Sequence, residues 1–96
     1  QAVIGLFKSD RFIITESGKS TAAVLDIHRH FQLHPIANTT QIKEACNVSL
    51  PTVLRAVDTL EHLGIIKEVT GKSRHKIFIY NKFLDILNRG TEPISY

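Results

Sequence analysis

Thr52, Arg55 and Thr59 recur at steps of three and four residues in NVSLPTVLRAVDTLEHL, which at about 100° per residue places them on one arc of a helix. Ser49 stands three residues before Thr52, where it caps that helix. Short hydroxyls suit phosphate oxygens, and an arginine can hold a guanine edge through two parallel N–H bonds. Lys72, Arg74, His75 and Lys76 crowd around Gly71, a basic cluster that attracts a phosphate backbone whatever its base sequence. Lys43 adds a cation upstream. These residues form a candidate contact set for double-stranded DNA. Leu50 and Leu54 interrupt it, because they fall outside the apolar arc of the same helix and have Asp58 and Glu61 near them. Exposed leucines beside acids suit a protein partner or a second copy of the chain better than a phosphate surface.

No other constellation in the sequence carries chemistry. Of the five histidines, His30 and His34 have a metal-capable helical spacing, but Pro35 ends the helix there and no third ligand is evident, so no metal or other cofactor is expected. His28 and His62 read as edging the core. Cys46 is single, cannot form an internal disulfide, and reads as a small buried thiol in a reducing, cytoplasmic setting. No phosphate-binding glycine loop, paired carboxylates or activated nucleophile is present, so the chain is not expected to be an enzyme.

The elements that must position the contact set follow from period and punctuation. The chain has 96 residues, 43% of them apolar, which is enough for one modest core. Its net charge of +3 is matched by the charge of residues 64–80 alone. No apolar run approaches the roughly 18 residues of a membrane span, and no secretory signal opens the chain. The start at Gln1, already inside an apolar segment, suggests a piece of a longer protein.

Val3, Leu6, Phe7, Asp10, Ile13 and Ile14 form a helical stripe, so residues 1–18 read as a helical linker from an upstream domain. Residues 19–90 read as the domain proper, and 91–96 as a tail. Val24, Ile27, His28 and Phe31 mark a first core helix that ends at His34-Pro35. Asn38 and Gln41 form a capping box for a short helix that carries Ile42 and Ala45 inward and stops at Asn47. The helix from Ser49 runs to Leu63, and Gly64 ends it. From Ile65 the apolar pattern alternates through IIKEV and HKIFIY, a β-hairpin with Gly71 at its tip. Asn81 then caps a short helix closed by Gly90. The expectation is an α+β winged helix-turn-helix: a three-helix core, a two-stranded wing, an N-terminal linker helix and a short C-terminal helix.

LGIIKEVTGKSRHKIFIYNKFLDILNRGTEP, with VSLPTVLRAVDTL before it and LFKSDRFI near the start, resembles the C-terminal region of Fic-family proteins. In that family a catalytic domain, which transfers AMP or a related group to a protein hydroxyl, precedes a linker helix and a winged helix. The resemblance implies a non-catalytic accessory domain whose upstream Fic domain lies outside this sequence. Such a domain would bind DNA, recruit a target, or regulate the AMP-transferring domain by protein contact or dimerisation. The His-Pro-Phe and Gly-Asn motifs of Fic catalysis are absent, since His34-Pro35 is followed by Ile36-Ala37-Asn38.

Overall fold

A computed structural model describes residues 2–71 and 76–91, the side chains at 2 and 89–91 aside. Along the chain run α1 (Ala2–Glu16), α2 (Ala22–Leu33), β1 (Ile36–Asn38), α3 (Thr39–Cys46), α4 (Leu50–His62), β2 (Lys67–Glu68), β3 (Ile77–Ile79) and α5 (Asn81–Thr91). Each central helix begins where a side chain can take an orphan N–H. Thr21 Oγ1 accepts from Val24 at 3.2 Å to open α2. The capping box at α3 is complete, with Asn38 and Gln41 exchanging two bonds of 2.8 Å.

Asn47 makes the turn between α3 and α4 in the left-handed conformation (φ 54°, ψ 51°), which asparagine tolerates better than most residues. Both its N–H and that of Val48 bond to the Lys43 carbonyl, so the turn is pinned to the last turn of α3. Gly64 (φ 78°) then lets the chain leave α4 toward the wing.

Packing follows the apolar arcs. Val53, Ala56, Val57 and Leu60 of α4 are buried and face α2, which contributes Val24, Ile27 and Phe31. Ile42 of α3, Ile65, Ile66 and Phe78 complete the same core. α1 joins it through Ile14, and Phe7 of α1 meets Phe83 of α5 edge to face at 5.0 Å. Four buried or partly buried side chains add a polar thread: Tyr80 Oη donates to Asp10 Oδ2 at 2.6 Å, His28 Nε2 lies 3.1 Å from Tyr80 Oη, and Gln32 Nε2 lies 3.3 Å from His28 Nδ1.

The α2–α3–α4 core with the β2–β3 hairpin is a winged helix-turn-helix, as the sequence predicts. Four details differ. The sheet has three strands in the order β1-β3-β2, all antiparallel, because Ile36–Asn38 pairs with β3 and sets Ile36 opposite Ile79. Ala45 is exposed, since Ile42 and Cys46, a full turn apart, define the inner face of α3. His62 is exposed at the end of α4, and only His28 of that pair is in the core. α5 continues through Gly90 to Thr91.

Candidate nucleic-acid interface

Burying the apolar arc of α4 against α2 turns the remaining side chains of that helix outward. Ser49, Leu50, Leu54, Arg55 and Asp58 are exposed, and Thr52 and Thr59 are half-buried. Ser49 has extended backbone (φ −72°, ψ 156°), and its Oγ accepts from the Thr52 N–H at 3.4 Å and pairs with Thr52 Oγ1 at 2.9 Å. The two hydroxyls share one O–H···O bond, so one proton is left for an outside acceptor. Thr59 has none left, because its Oγ1 donates to the Arg55 carbonyl at 3.1 Å.

Arg55 is the centre of the arrangement. Among the described residues the only ion pair joins Arg29 to Asp26, so neither Asp58 nor Glu61 neutralises Arg55. Glu61 instead accepts from the Glu68 N–H at 3.2 Å and ties the base of the wing to α4. That gives an acid on this helix a structural reason.

The sequence pattern does not point to Lys19 and Thr21. The turn between α1 and α2 folds against α4, and Gly18, Lys19, Thr21, Thr52, Arg55 and Thr59 border one open cleft of about 530 Å³. Its only local signal is Thr21 as the residue that caps α2. The cleft brings two cations, Lys19 and Arg55, one acid, Asp58, and the N-terminal turn of α2 to one surface, where a helix end favours negative charge.

Lys43 is exposed on the last turn of α3. Lys76 is half-buried beside Glu68, whose carboxylate accepts from the Thr70 hydroxyl and from the Thr70 and Gly71 N–H groups at 2.6 Å each. The Thr70 hydroxyl first, then those N–H groups and the nearby Lys76 charge, outweigh desolvation and hold the Glu68 carboxyl below its ordinary range. Glu68 thereby fastens the turn of the wing. Lys72, Arg74 and His75 lie outside the described residues.

The His30 and His34 rings lie 4.9 Å apart, tilted by 36°, and border a second, smaller cleft with Ile36, Ala37 and Gln41. His30 Nε2 is buried without a hydrogen-bond partner. Burial, and then the neighbouring His34, push the His30 pKa below its usual value.

A family model described as the ferric uptake regulator family matches residues 14–86. No curated protein and no solved structure matches the chain. The match overturns the resemblance to the Fic family, and with it the upstream AMP-transferring domain. The matched segment takes in the helix-turn-helix and the wing, whereas the ILNRGTEP end that also carried the resemblance lies outside it except for Ile86. The family's description also names iron, so the donor set requires a test. Two neighbouring imidazoles and an amide border the second cleft, and among the described residues no three His, Cys, Asp or Glu side chains converge. Iron takes imidazole together with carboxylate or other oxygen donors. The described residues therefore do not fit a self-sufficient iron site.

Proposed function

Because the chain belongs to the ferric uptake regulator family, whose regulatory domain is a non-catalytic winged-helix DNA-binding module and whose members dimerise, we propose that it binds duplex DNA with α4 in the major groove. The observation that carries this reading is Arg55, exposed in the middle of α4 and without an ion-pair partner among the described residues. Its planar guanidinium reads a guanine edge through two bonds. Ser49 and Thr52 place their remaining hydroxyl proton on a phosphate at the entry of the helix.

Lys19 and the N-terminal turn of α2 hold a neighbouring phosphate, and Lys43 adds a third contact from α3. Lys76 and the run Lys72, Arg74 and His75 contribute attraction that does not depend on base sequence. Phosphate contacts fix the register, and the side chains of α4 carry the base specificity. Two copies of the chain read two half-sites about one helical turn apart. The cleft that Lys19 and Arg55 share beside the N-terminal turn of α2 favours this over a purely protein-binding role.

The test is binding of the chain to a fluorescent random-sequence duplex at about 50 and about 200 mM salt. The expected result is measurable affinity that falls by one to several orders of magnitude between the two, since each neutralised phosphate releases counterions. Absence of binding at the lower salt removes the proposal.

A further inference from the structure

Leu50 and Leu54 are 43% and 46% exposed, although the helix that carries them buries Val53, Ala56, Val57 and Leu60 almost completely. They stand one turn apart, about 40° from each other around the axis and roughly 6 Å along it. They occupy the first two turns of α4, the part of a recognition helix that goes deepest into the groove, and Leu54 adjoins Arg55 in sequence.

In the major groove a base pair offers hydrogen-bond donors, acceptors and a single kind of apolar group, the C5 methyl of thymine. A leucine has nothing for the donors and acceptors. Pressed onto guanine O6 or cytosine N4 it leaves a desolvated polar group without a partner, which is unfavourable. Over a thymine it removes a methyl and an isobutyl group from water together.

We infer that Leu50 and Leu54 are base-reading residues of α4 whose partners are the C5 methyl groups of thymines neighbouring the base pair that Arg55 holds. The inference rests on the DNA-binding reading above and names what that helix selects. The spacing suits it, because roughly 6 Å along the helix is close to two base steps of about 3.4 Å. A second copy of the chain is a poorer partner for this face. A stable protein interface needs roughly 800 Å² from each side, and two half-exposed leucines flanked by Arg55, Asp58 and Glu61 offer only a small part of that.

The experiment selects the preferred duplex from a randomised pool with the intact chain, then replaces each thymine of that duplex in turn by deoxyuridine. This change deletes the C5 methyl and keeps the base pairing. Two positions are expected to lose about fourfold in affinity each, the size of one buried methyl, while the other thymines are silent. Leu54→Ala is expected to weaken binding to the thymine duplex and to abolish the loss at one of those positions, and Leu50→Ala to do the same at the other. Placing 5-methylcytosine at a sensitive position should recover part of the contact.

Three results would overturn the inference. Selected DNA that binds well above a scrambled duplex yet is indifferent to deoxyuridine leaves DNA binding standing and removes the methyl contact. Failure to bind any duplex at about 50 mM salt removes the DNA reading as well. A dimer that Leu54→Asp dissolves, measured by sedimentation, assigns the leucines to a protein interface.

Discussion

Two polar clusters of this domain are treated in opposite ways. In the interior, Gln32, His28, Tyr80 and Asp10 form one directed chain. Tyr80 has a single hydroxyl proton and gives it to Asp10, so His28 must donate from Nε2 and accept at Nδ1 from Gln32. Each donor meets an acceptor, and the tautomer of His28 follows from its neighbours. On α4, by contrast, Arg55 is exposed with no ion-pair partner among the described residues, and Ser49 with Thr52 retains a hydroxyl proton. Polar groups satisfied inside the fold hold it together. Those left unsatisfied at the surface can bind.

The largest expected effect breaks the first cluster. Tyr80→Phe keeps the ring, which packs with Phe7 and Phe83, and removes the hydroxyl that both Asp10 and His28 use. Two buried groups then lose a partner at once, and the expected loss is about 3 kcal/mol. Urea denaturation should show a lower midpoint with an unchanged slope. A loss below about 0.5 kcal/mol would mean that water replaces the hydroxyl.

Arg55→Ala addresses the second cluster and should do the reverse. Affinity for the selected duplex is expected to fall ten- to a hundredfold, and base preference at one position to relax. Stability should stay within about 0.5 kcal/mol, as is usual for an exposed residue without partners. A mutant that is destabilised but binds normally would invert the comparison.

These two clusters also differ in how far sequence could find them. Arg55, Ser49 and Thr52 are legible because their spacing, their cap and their turn all lie within a few residues, as does the capping box at Asn38. The Asp10 position falls on the apolar stripe of α1, but its partner Tyr80 is 70 residues away, and nothing local links them. Strand β1 has three residues with one buried, Ala37, too few to show a period, and its pairing with β3 is distant. Lys19 is an isolated lysine in the sequence, and only the fold brings the α1–α2 turn to the cleft it shares with Arg55. A wing is common to winged helices of different families, so the basic hairpin in the sequence identifies the fold and not the family, and the ILNRGTEP end lies almost wholly beyond the matched residues 14–86.

Acid should weaken the interior cluster. Burial pushes the His28 pKa below its usual value, more than the Asp10 charge raises it, with Arg11 adding a small downward push. The folded state therefore binds protons less readily than the unfolded chain, and the neutral imidazole stabilises the fold above the unfolded value of about 6.5. That contribution is lost as pH falls below about 6.5 toward the folded value, with a slope of at most about 1.4 kcal/mol per pH unit. His30, also lowered by burial, acts in the same sense. Thermal melts from pH 7.5 to 5 should show the decline, and His28→Gln should flatten it. A flat profile in the parent chain would mean that the buried imidazole charges without cost.

The smallest effect separates phosphate contact from base contact on the binding face itself. Lys19 shares a cleft with Arg55 but lies on the α1–α2 turn, away from the helix that reads bases. If it neutralises one phosphate, Lys19→Ala removes one counterion-release event and lowers the slope of log affinity against log salt by about 0.9, with base preference unchanged. Because the missing attraction is screened by added salt, the difference from the parent chain should shrink as salt rises. Arg55→Ala should instead keep most of its deficit at high salt, since a bidentate contact to a base edge depends on geometry more than on net charge. Identical salt slopes for the parent chain and Lys19→Ala would remove the α1–α2 turn from the interface and leave α4 and the basic run after Gly71 to carry it.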